Sequence, residues 1–382
     1  MKERICIFAF YDKSGYVDDY VRALLKELSA IAARLIIVVN GCVDDDGRKT
    51  FDMFSNEIHI RDNTGYDAGA YKYVLKNVLK RDDLDRYEEV IFCNDTFFGP
   101  LCSWNEIFEK MEQVSCDFWG LNGFFHVVFA HIQSYFLVFR KRIIQKQLLH
   151  DYFENNIDET TVEINDVYCQ FETGLFDFLG RQSGMKYAMY STECDYDVYR
   201  YSYEYLKKHR LPIIKKKTFS KPEEDFDNIW CTLSFVKYQT DYDVNLILNS
   251  IRRVYGLDIQ YDEICTIDRY KLPEAVEVPS PQNDDERIEQ FLSKGDFYIY
   301  GAGMYASKAY WRFARGSQTF LGFIVSDGKR KSGQGILFGY PVFEWAEVKN
   351  IPEKRILLGM AKDCSLEVIK DIKSTSDILR IF

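Results

Sequence analysis

Short apolar runs alternate with segments of helical periodicity along the first hundred residues. The runs have the length and composition of buried strands and lie at residues 5–10, 35–39, 57–60 and 89–93. Apolar residues spaced three and four apart predict helices over residues 16–33 and 66–80. Strands that alternate with helices are typical of a parallel sheet with crossover helices. We therefore predict an α/β fold with a mostly parallel sheet flanked by helices.

The pattern continues to residue 255, with helices becoming more frequent. Helices are predicted at residues 103–112, 140–156, 168–181 and 240–255, and a strand at residues 133–139. Thr240 or Asp241 is the expected N-cap of the last helix. We assign residues 1–255 to one domain, whose part from about residue 196 is a helical, tyrosine-rich extension.

A second domain is expected after a linker at residues 256–285, because residues 273–285 are rich in proline, aspartate and asparagine. Strands are then predicted at residues 297–300, 320–325 and 355–359, helices at 304–314 and 364–373, and a loop with a short helix at 341–350. Residues 286–382 therefore suit a small Rossmann-like α/β domain.

Polar or turn-forming residues follow each predicted strand of the first domain. They are Phe10-Tyr11-Asp12, Asn40-Gly41, Asp62-Asn63 and Asn94-Asp95. The carboxyl ends of parallel strands share one edge of a sheet, and ligands of such sheets bind beyond that edge. We expect a ligand site at this edge.

The loop at residues 61–69 places two glycines, an asparagine and two aspartates before a helix. Glycine permits close approach of a backbone to a ligand, and a helix N-terminus presents free N–H groups. Asp67, in the first helical turn, either caps the helix or hydrogen-bonds to a ligand. Asp95 either caps the turn that follows its strand or holds Mg²⁺ or Mn²⁺.

The charge balance argues against one class of partner. The formal net charge is −10, whereas nucleic-acid binding requires clustered lysine and arginine. The basic run Lys215-Lys216-Lys217 suits a solvated surface, and contact with a diphosphate or an anionic lipid is the alternative. The pattern does not indicate an oligomeric state.

The cysteines and the apolar segments suggest a compartment. Ten cysteines without CxxC or zinc-finger spacing suit reduced, buried thiols. The first strand begins close to Met1, which leaves no room for a signal peptide, and polar side chains interrupt the most apolar long segment, residues 123–139. We expect a cytoplasmic protein, with peripheral contact at the inner face of the plasma membrane as an open alternative.

Three segments carry a resemblance to known proteins: VVNGCVDDD (38–46), DNTGYDAGAYK (62–72) and CNDTFFGP (93–100). Their order after successive strands resembles the N-terminal half of family 2-like GT-A glycosyltransferases. The patterns N-x-G-Y-D-x-G and N-D-S/T-x-x-G-P within them resemble more specifically the rhamnan synthesis F family. Further likeness comes from DFWG (117–120), HIQSYFLVF (131–139), Ile214-Lys215-Lys216-Lys217 and Thr240-Asp241-Tyr242-Asp243, so the resemblance covers roughly residues 5–255.

The resemblance implies a GT-A-type glycosyltransferase that moves a sugar, typically rhamnose from dTDP-rhamnose, onto a growing cell-surface polysaccharide or lipid-linked glycan. The expected donor-binding residues are Phe10, Tyr11, Asn40, Asn63, Gly65, Tyr66, Asp67, Gly69, Lys72, Asn94, Asp95 and Thr96. Asn94 replaces the first carboxylate of the family 2-like DxD motif, and Asn40 replaces a common base-binding aspartate. Asp95 therefore carries the Mg²⁺ or Mn²⁺ hypothesis alone, and metal dependence is left open.

An inverting transfer needs a general base to deprotonate the acceptor hydroxyl. By the same resemblance Glu172, at the start of a helix, is the expected base, and Asp95 is the second catalytic residue. Asp166 and Glu163 are alternative bases, and stabilisation by the helix dipole is the structural explanation of Glu172. The residues expected at the acceptor or sugar are Trp119, His131, Gln133 and Ser134, with core positions as the alternative for the first two.

The motif GAGMYA (301–306) has the GxGxxA spacing of a pyrophosphate-binding turn, and Asp327 ends the next strand. Gly301, Gly303 and Asp327 therefore define a candidate second nucleotide site. Two other functions stay open: a non-catalytic GT-A-like scaffold for polysaccharide assembly, and a nucleotide-sugar oxidoreductase that uses the C-terminal domain.

Overall fold

The computed structural model describes residues 2–124, 131–191, 197–223, 226–266, 281–330, 335–352, 354–360, 368–369, 372 and 376–380. The chain forms two compact units. The first comprises Met1–Phe124, Ile132–Val167 and Phe178–Ala275. The second comprises Phe125–His131, Tyr168–Asp177 and Val276–Phe382. Two segments from the middle of the chain thus belong to the second unit, and the alternation of strands and helices gives no sign of this.

The secondary structure up to residue 266 follows the order that the sequence pattern predicts, with additions. The strands are β1 (Arg4–Phe10), β2 (Arg34–Asn40), β3 (Glu57–Arg61), β4 (Glu89–Asn94), β5 (Phe97–Phe98), β6 (Phe118–Gly120), β7 (Gly123–Phe124), β8 (His131–Ile132), β9 (Phe136–Arg140), β10 (Tyr187–Met189) and β11 (Ile214–Lys215). The helices are α1 (Asp19–Ile31), α2 (Asp45–Asp52), α3 (Tyr66–Asn77), α4 (Trp104–Glu112), α5 (Lys141–Gln145), α6 (Leu148–Asn156), α7 (Ile164–Val167), α8 (Gly174–Asp177), α9 (Ser202–Lys207), α10 (Phe226–Gln239) and α11 (Val244–Tyr255). Wider helical turns over Tyr168–Thr173 and Phe178–Gln182 flank α8.

The main sheet of the first unit has the strand order β10-β6-β9-β4-β1-β2-β3. Strand β1 pairs in parallel with β2 and with β4, so that Ile7 lies opposite Ile36 and Phe92, and β2 pairs in parallel with β3. Strand β9 runs antiparallel between β4 and β6, and β10 is parallel to β6. This arrangement confirms the predicted α/β fold with a mostly parallel sheet.

Helices cover both faces of this sheet because the buried strands are apolar on both sides. Phe8 belongs to a core cluster with Leu24 and Leu28 of α1, all three fully buried. On the opposite face Phe92 stacks on Tyr71 of α3, with ring centroids 4.3 Å apart. Burial of each such side chain contributes roughly 1.5–3 kcal/mol, which explains why helical apolar periodicity located these helices.

Two local predictions need correction, and one helix lies in a segment for which the sequence pattern predicts no element. That helix is α2, which the Asp44 carboxylate caps by accepting the Gly47 N–H at 2.6 Å. The N-cap of α11 is Asp243, which accepts the Asn245 N–H at 3.0 Å, and not Thr240 or Asp241. The helix expected over residues 140–156 is divided into α5 and α6 at Gln147, whose φ of 56° lies in the left-handed region.

The second unit contains another α/β sheet, which confirms the expected second α/β domain. Its strands are β12 (Phe297–Tyr300), β13 (Phe320–Val325), β14 (Ile336–Leu337), β15 (Tyr340–Glu344), β16 (Lys354–Leu358) and β17 (Ser376–Arg380), and its helices are α12 (Pro281–Leu292), α13 (Met304–Ala309) and α14 (Trp345–Val348). The strand order is β14-β15-β13-β12-β16-β17, with parallel pairs except between β14 and β15. The core beneath it includes Tyr300, Ile324 and Leu358.

The second unit also differs from the sequence expectation in detail. Helix α12 begins at Pro281, inside the segment expected to be a linker. Strand β15 occupies the first part of the expected loop at 341–350, because Val342 and Phe343 pair with β13. The helix expected at 364–373 lies mostly outside the described residues. In the part of the chain that the structure describes, no helix combines the length and the apolar character needed to cross a membrane.

A buried ion pair anchors the start of β4. The Arg4 guanidinium donates to Glu89 at 2.7 Å, and both side chains are at most 4% exposed. Glu89 also accepts from Arg140 at 3.3 Å, and Arg4 donates to Glu112 of α4 at 2.9 Å. The network therefore joins β1, β4, β9 and α4 at the edge of the sheet opposite to the carboxyl ends of the parallel strands.

We expect Glu89→Ala to lower the free energy of unfolding by about 3–5 kcal/mol, because it leaves a buried guanidinium without its carboxylate. Urea unfolding measures the change. Glu88→Ala is the matched control, since the neighbouring Glu88 forms an exposed pair with Lys141 and its loss should cost less than about 1 kcal/mol. Equal costs for the two variants would contradict the importance of the buried network.

Candidate functional site

Asp95 follows β4 directly and is 5% exposed. Its Oδ1 atom accepts the main-chain N–H of Tyr11, at the end of β1, at 3.4 Å. Its Oδ2 atom accepts the Tyr20 hydroxyl at 3.3 Å and the Lys216 ammonium at 3.1 Å. The predicted strand-end carboxylate therefore lies at the expected edge, with both of its oxygens in hydrogen bonds.

Tyr20, in the first turn of α1, links this carboxylate to the basic run. Its hydroxyl accepts from the Lys216 Nζ at 2.8 Å and donates to the main-chain oxygen of Asp95 at 2.9 Å. Burial, followed by the nearby charge of Asp95, raises the pKa of Tyr20 well above its ordinary value. The phenol therefore stays protonated at neutral pH and serves as a donor.

The lysine run lies closer to the candidate site than the sequence interpretation expects. Strand β11 pairs antiparallel with β5, which lies two residues beyond Asp95. This pairing brings Lys215 and Lys216 against the end of β4, and the Lys216 N–H donates to the Thr96 oxygen at 3.0 Å. Interpretation of the run as a solvated surface is wrong for Lys216, whose side chain is 19% exposed. The likeness of Ile214-Lys215-Lys216-Lys217 to a basic motif of the family is the sequence feature that could have indicated this position.

Asn94 and Thr96, on either side of Asp95, are joined by a hydrogen bond. The Asn94 amide donates to the Asp67 carboxylate at 2.9 Å, and its oxygen accepts from the Thr96 hydroxyl at 2.7 Å. Asp67 also accepts the N–H of Ala68 at 2.9 Å, within the first turn of α3. Loop 61–69 and the end of β4 are thus brought together as the sequence predicts, through an amide–carboxylate contact.

Asn40 organises the neighbouring loop. Its amide donates to the Tyr66 oxygen at 3.0 Å and its oxygen accepts from Arg61 at 2.7 Å, so that the side chain is almost fully buried. Gly65 has a φ of 64°, in the left-handed region. A Cβ atom at Gly69 would lie 2.4 Å from the Thr64 oxygen, so packing alone explains this second glycine.

Three further donor-binding candidates differ in their surroundings. Tyr11 is 46% exposed at the sheet edge, and the Oδ1 atom of Asn63 is buried without a hydrogen-bond partner among the described residues. Tyr11 is accessible to a ligand, and the buried Asn63 oxygen has no described hydrogen bond to give up to one. The Lys72 ammonium instead donates to the Ile157 oxygen at 2.6 Å, which fastens the segment after α6 to α3.

Two predicted contacts are contradicted by burial. Phe10 is 1% exposed and packs edge-on against Phe51 of α2, so it belongs to the core and not to the donor site. Trp119 is fully buried and packs edge-on against Phe108, with centroids 5.0 Å apart, so it cannot stack on a sugar. Both side chains lie on strands that are buried at every position, because helices cover both faces of the sheet.

Gln133 lies at a small cavity of about 70 Å³, which Lys215, Asn122 and Tyr199 also line. Lys215 therefore connects the surroundings of Asp95 with a residue predicted at the acceptor, because its ammonium donates to the Thr96 hydroxyl at 2.6 Å. Ser134, the next residue along, is 6% exposed.

Glu172 and His131 lie together in the second unit. The His131 Nε2 atom is 3.4 Å from the Glu172 Oε2 atom, and both side chains are largely buried. This places the predicted base against a predicted acceptor residue. The alternative base Asp166 lies in the first unit, and burial followed by the charge of Glu163 raises its pKa.

The donor atoms around Asp95 do not fit a divalent cation in this arrangement. At nucleotide sites Mg²⁺ is bound through one or two carboxylates together with waters and substrate phosphates, so it needs at least one carboxylate oxygen that is not already engaged. Within the described residues no group of three or more His, Cys, Asp or Glu side chains could hold a metal ion. The Asp95 Oδ2 atom already binds the Lys216 ammonium, and the Asn94 oxygen already accepts from Thr96.

The candidate second nucleotide turn is only partly free for a ligand. The Asp327 carboxylate accepts the Ala346 N–H at 2.7 Å, so it caps α14. A Cβ atom at Gly301, whose φ is 120°, would lie 2.6 Å from the Gly359 oxygen. Close strand packing thus explains Gly301, whereas a Cβ atom at Gly303 would meet open space.

An ion-pair cluster fixes the segment between Tyr11 and Tyr20. Arg253 of α11 donates to Asp18 at 2.6 Å and to Asp12 at 2.7 Å. Burial alone would raise the pKa of Asp12, but hydrogen bonds from Ser14 and Arg253 outweigh it and lower the pKa to about 2. This segment supplies both the N–H and the hydroxyl that hold Asp95.

Comparisons with known proteins give one family. The family model for rhamnan synthesis protein F matches residues 35–279, more than half of the chain. Virulence protein VirA of Vibrio anguillarum is 28% identical over 180 residues, which are 46% of this chain and 56% of that protein. The chain thus spans about half the length of the curated relatives that it matches.

Among solved structures, 4-diphosphocytidyl-2C-methyl-D-erythritol synthase from Anaerococcus prevotii is 14% identical, with a TM-score of 0.33 over 49% of this chain and 87% of that chain. Mouse xyloside xylosyltransferase 1 is 9% identical, with a TM-score of 0.28 over 52% of this chain and 85% of that chain.

We expect Arg253→Gln to raise the Asp12 pKa from about 2 towards its ordinary value of 3.8, because the guanidinium favours the charged carboxylate. Because the pKa of Asp12 is lower in the folded state, the ionised carboxylate stabilises the fold above about pH 4, and this stabilisation is lost as the pH falls towards 2. An NMR titration of the Asp12 carboxyl carbon measures the shift. Arg252→Gln is the control, since Arg252 pairs with Asp258. An unchanged Asp12 pKa in Arg253→Gln would contradict the prediction.

Proposed function

Because the chain belongs to the rhamnan synthesis protein F family, we propose that it is a glycosyltransferase that uses a nucleotide-diphospho sugar. Family membership supports this activity in general terms. The observation that carries the proposal is the placement of Asp95, Lys216 and the 61–69 loop at one edge of a mostly parallel sheet, where such sheets bind nucleotides.

The proposed donor is a deoxy sugar nucleotide, with dTDP-rhamnose as the first choice from the family name. The proposed acceptor is a growing cell-surface polysaccharide or a lipid-linked glycan, met in the cytoplasm or at the inner face of the plasma membrane. Exposed Tyr11 and the Asn63 oxygen are the groups that we assign to the nucleoside, because the Tyr11 side chain is accessible and the buried Asn63 oxygen would break no described hydrogen bond on turning to a ligand.

For the chemistry we propose an inverting displacement. The acceptor hydroxyl oxygen forms a bond to the anomeric carbon while the bond from that carbon to the diphosphate oxygen breaks. The electron pair of the broken bond leaves on the diphosphate, and the hydroxyl proton passes to Glu172. The proximity of His131 to Glu172 supports this role, because a hydrogen-bonding imidazole can orient the carboxylate.

We expect Glu172→Gln to lower kcat by about 10²- to 10⁴-fold, because the amide cannot take the acceptor proton. A panel of nucleotide sugars with release of nucleoside diphosphate as readout measures the effect. Glu109→Gln is the matched control on the exposed face of α4 and should retain full activity. Retained turnover in Glu172→Gln would end the assignment, and Asp166→Asn would then test the alternative base.

We expect Asp95→Asn to lower kcat/KM by about tenfold or more, because it removes the charge that positions Lys216 while keeping the side-chain size. Asp52→Asn is its control, since Asp52 is half exposed and pairs with Arg48 on α2. If the wild-type chain turns over no donor and binds none by calorimetry, a scaffold function replaces the enzymatic one.

A further inference from the structure

We propose that Lys216, with Lys215 and Lys217 beside it, binds the donor diphosphate directly and takes the role that a divalent cation has at many strand-end nucleotide sites. This inference rests on the proposed glycosyltransferase function. It adds a metal-independent mode of diphosphate recognition and names the residues that perform it.

The main chain determines where the three lysines lie. Strand β5 begins two residues after Asp95, and β11 pairs with it so that Lys215 lies opposite Phe97. The following residue, Lys216, donates its N–H to the Thr96 oxygen at 3.0 Å. Backbone hydrogen bonds therefore hold the run against the end of β4, independently of any side-chain charge.

Separate contacts orient each ammonium group. Lys215 donates to the Thr96 hydroxyl at 2.6 Å and lies 4.3 Å from the centre of the Tyr135 ring. Lys217 lies 4.2 Å from the centre of the Tyr199 ring. Aromatic faces and hydroxyls hold an ammonium group while leaving its positive charge available to an anion. The run therefore presents oriented cations at the sheet edge.

The balance of charge at this edge favours an anionic ligand. In the set of Asp95, Asp67 and the three lysines, three positive charges face two negative charges, although the whole chain has a net charge of −10. A diphosphate placed among these groups would gain charge-assisted hydrogen bonds. A divalent cation at the Asp95 carboxylate would instead have to displace the Lys216 ammonium at 3.1 Å and then lie close to it.

In the proposed transfer, the lysines stabilise the negative charge of the leaving diphosphate. When the bond from the anomeric carbon to the diphosphate oxygen breaks, the electron pair goes to that oxygen and negative charge increases on the diphosphate. An ammonium group held beside that position stabilises the increase because it is fixed before the reaction. The carboxylate of Asp95 and the protonated hydroxyl of Tyr20 are the groups that hold Lys216 there.

The test is calorimetric titration of the full chain with dTDP, UDP and GDP, in EDTA and then in Mn²⁺. We expect the preferred nucleoside diphosphate to bind in EDTA, with an affinity that Mn²⁺ changes by less than about threefold. Lys216→Met should weaken binding by about tenfold or more under both conditions, because a charge-assisted contact is lost. Raised KCl should weaken binding by the wild-type chain, as expected of ion pairing.

The control is Lys110→Met, because Lys110 also lies over a tyrosine ring, at 4.1 Å from the centre of Tyr190, but on α4. It should bind as the wild type does. Lys216→Arg keeps a positive charge beside Asp95, so it should fold and retain more affinity than Lys216→Met. If Lys216→Met fails to fold, Lys217→Met, which alters an exposed side chain, should still weaken binding severalfold.

The outcomes separate the inference from the function on which it rests. Binding that disappears in EDTA and returns with Mn²⁺ overturns the inference and leaves the glycosyltransferase proposal standing. Unchanged affinity in Lys216→Met and Lys217→Met, both folded, overturns it as well. Absence of binding to every nucleoside diphosphate, together with absence of donor turnover, overturns the proposed function and the inference with it.

Discussion

Burial of a carboxylate costs free energy unless hydrogen-bond donors surround it. Asp95 is buried, and the donors that it requires bring several loops of the first unit together. Its partners come from the end of β1, the start of α1 and the turn after β11, at distances of 84, 75 and 121 residues from Asp95 in the sequence. Each of these elements has its own apolar core contacts. The hydrogen bonds to one carboxylate then determine how the loops meet at the edge of the sheet, and so determine the shape of the candidate site.

The same principle explains why so many residues of the motifs contact one another. Asn94 satisfies Asp67 and Thr96, and Asn40 satisfies Arg61 and the Tyr66 oxygen. In the described structure these polar side chains hold the loops in place by hydrogen bonds to one another. A substitution in such a network therefore affects the geometry of the site as well as any direct contact with a ligand.

The residues to which roles in the transfer are proposed are distributed over both units. The donor-side groups around Asp95 belong to the first unit, whereas His131 and Glu172 belong to the second. The family model covers residues 35–279 and therefore includes segments of both units. In the second unit, close packing explains Gly301 and capping of α14 explains Asp327, so neither residue requires a nucleotide.

Apolar periodicity along the sequence determined the order of the strands and the main helices, because burial of alternating or helically spaced side chains dominates their stability. The same periodicity showed where each strand ends in polar residues. Because the carboxyl ends of parallel strands share one edge of the sheet, it also predicted that these residues lie together. Tertiary structure alone decided which polar residues face that edge, which explains why Phe10 and Trp119 were misjudged. The role of Lys216 depends on the pairing of β11 with β5 and on Tyr20, partners more than a hundred residues away in the sequence. No local pattern encodes such a contact, because it exists only when distant segments have packed together.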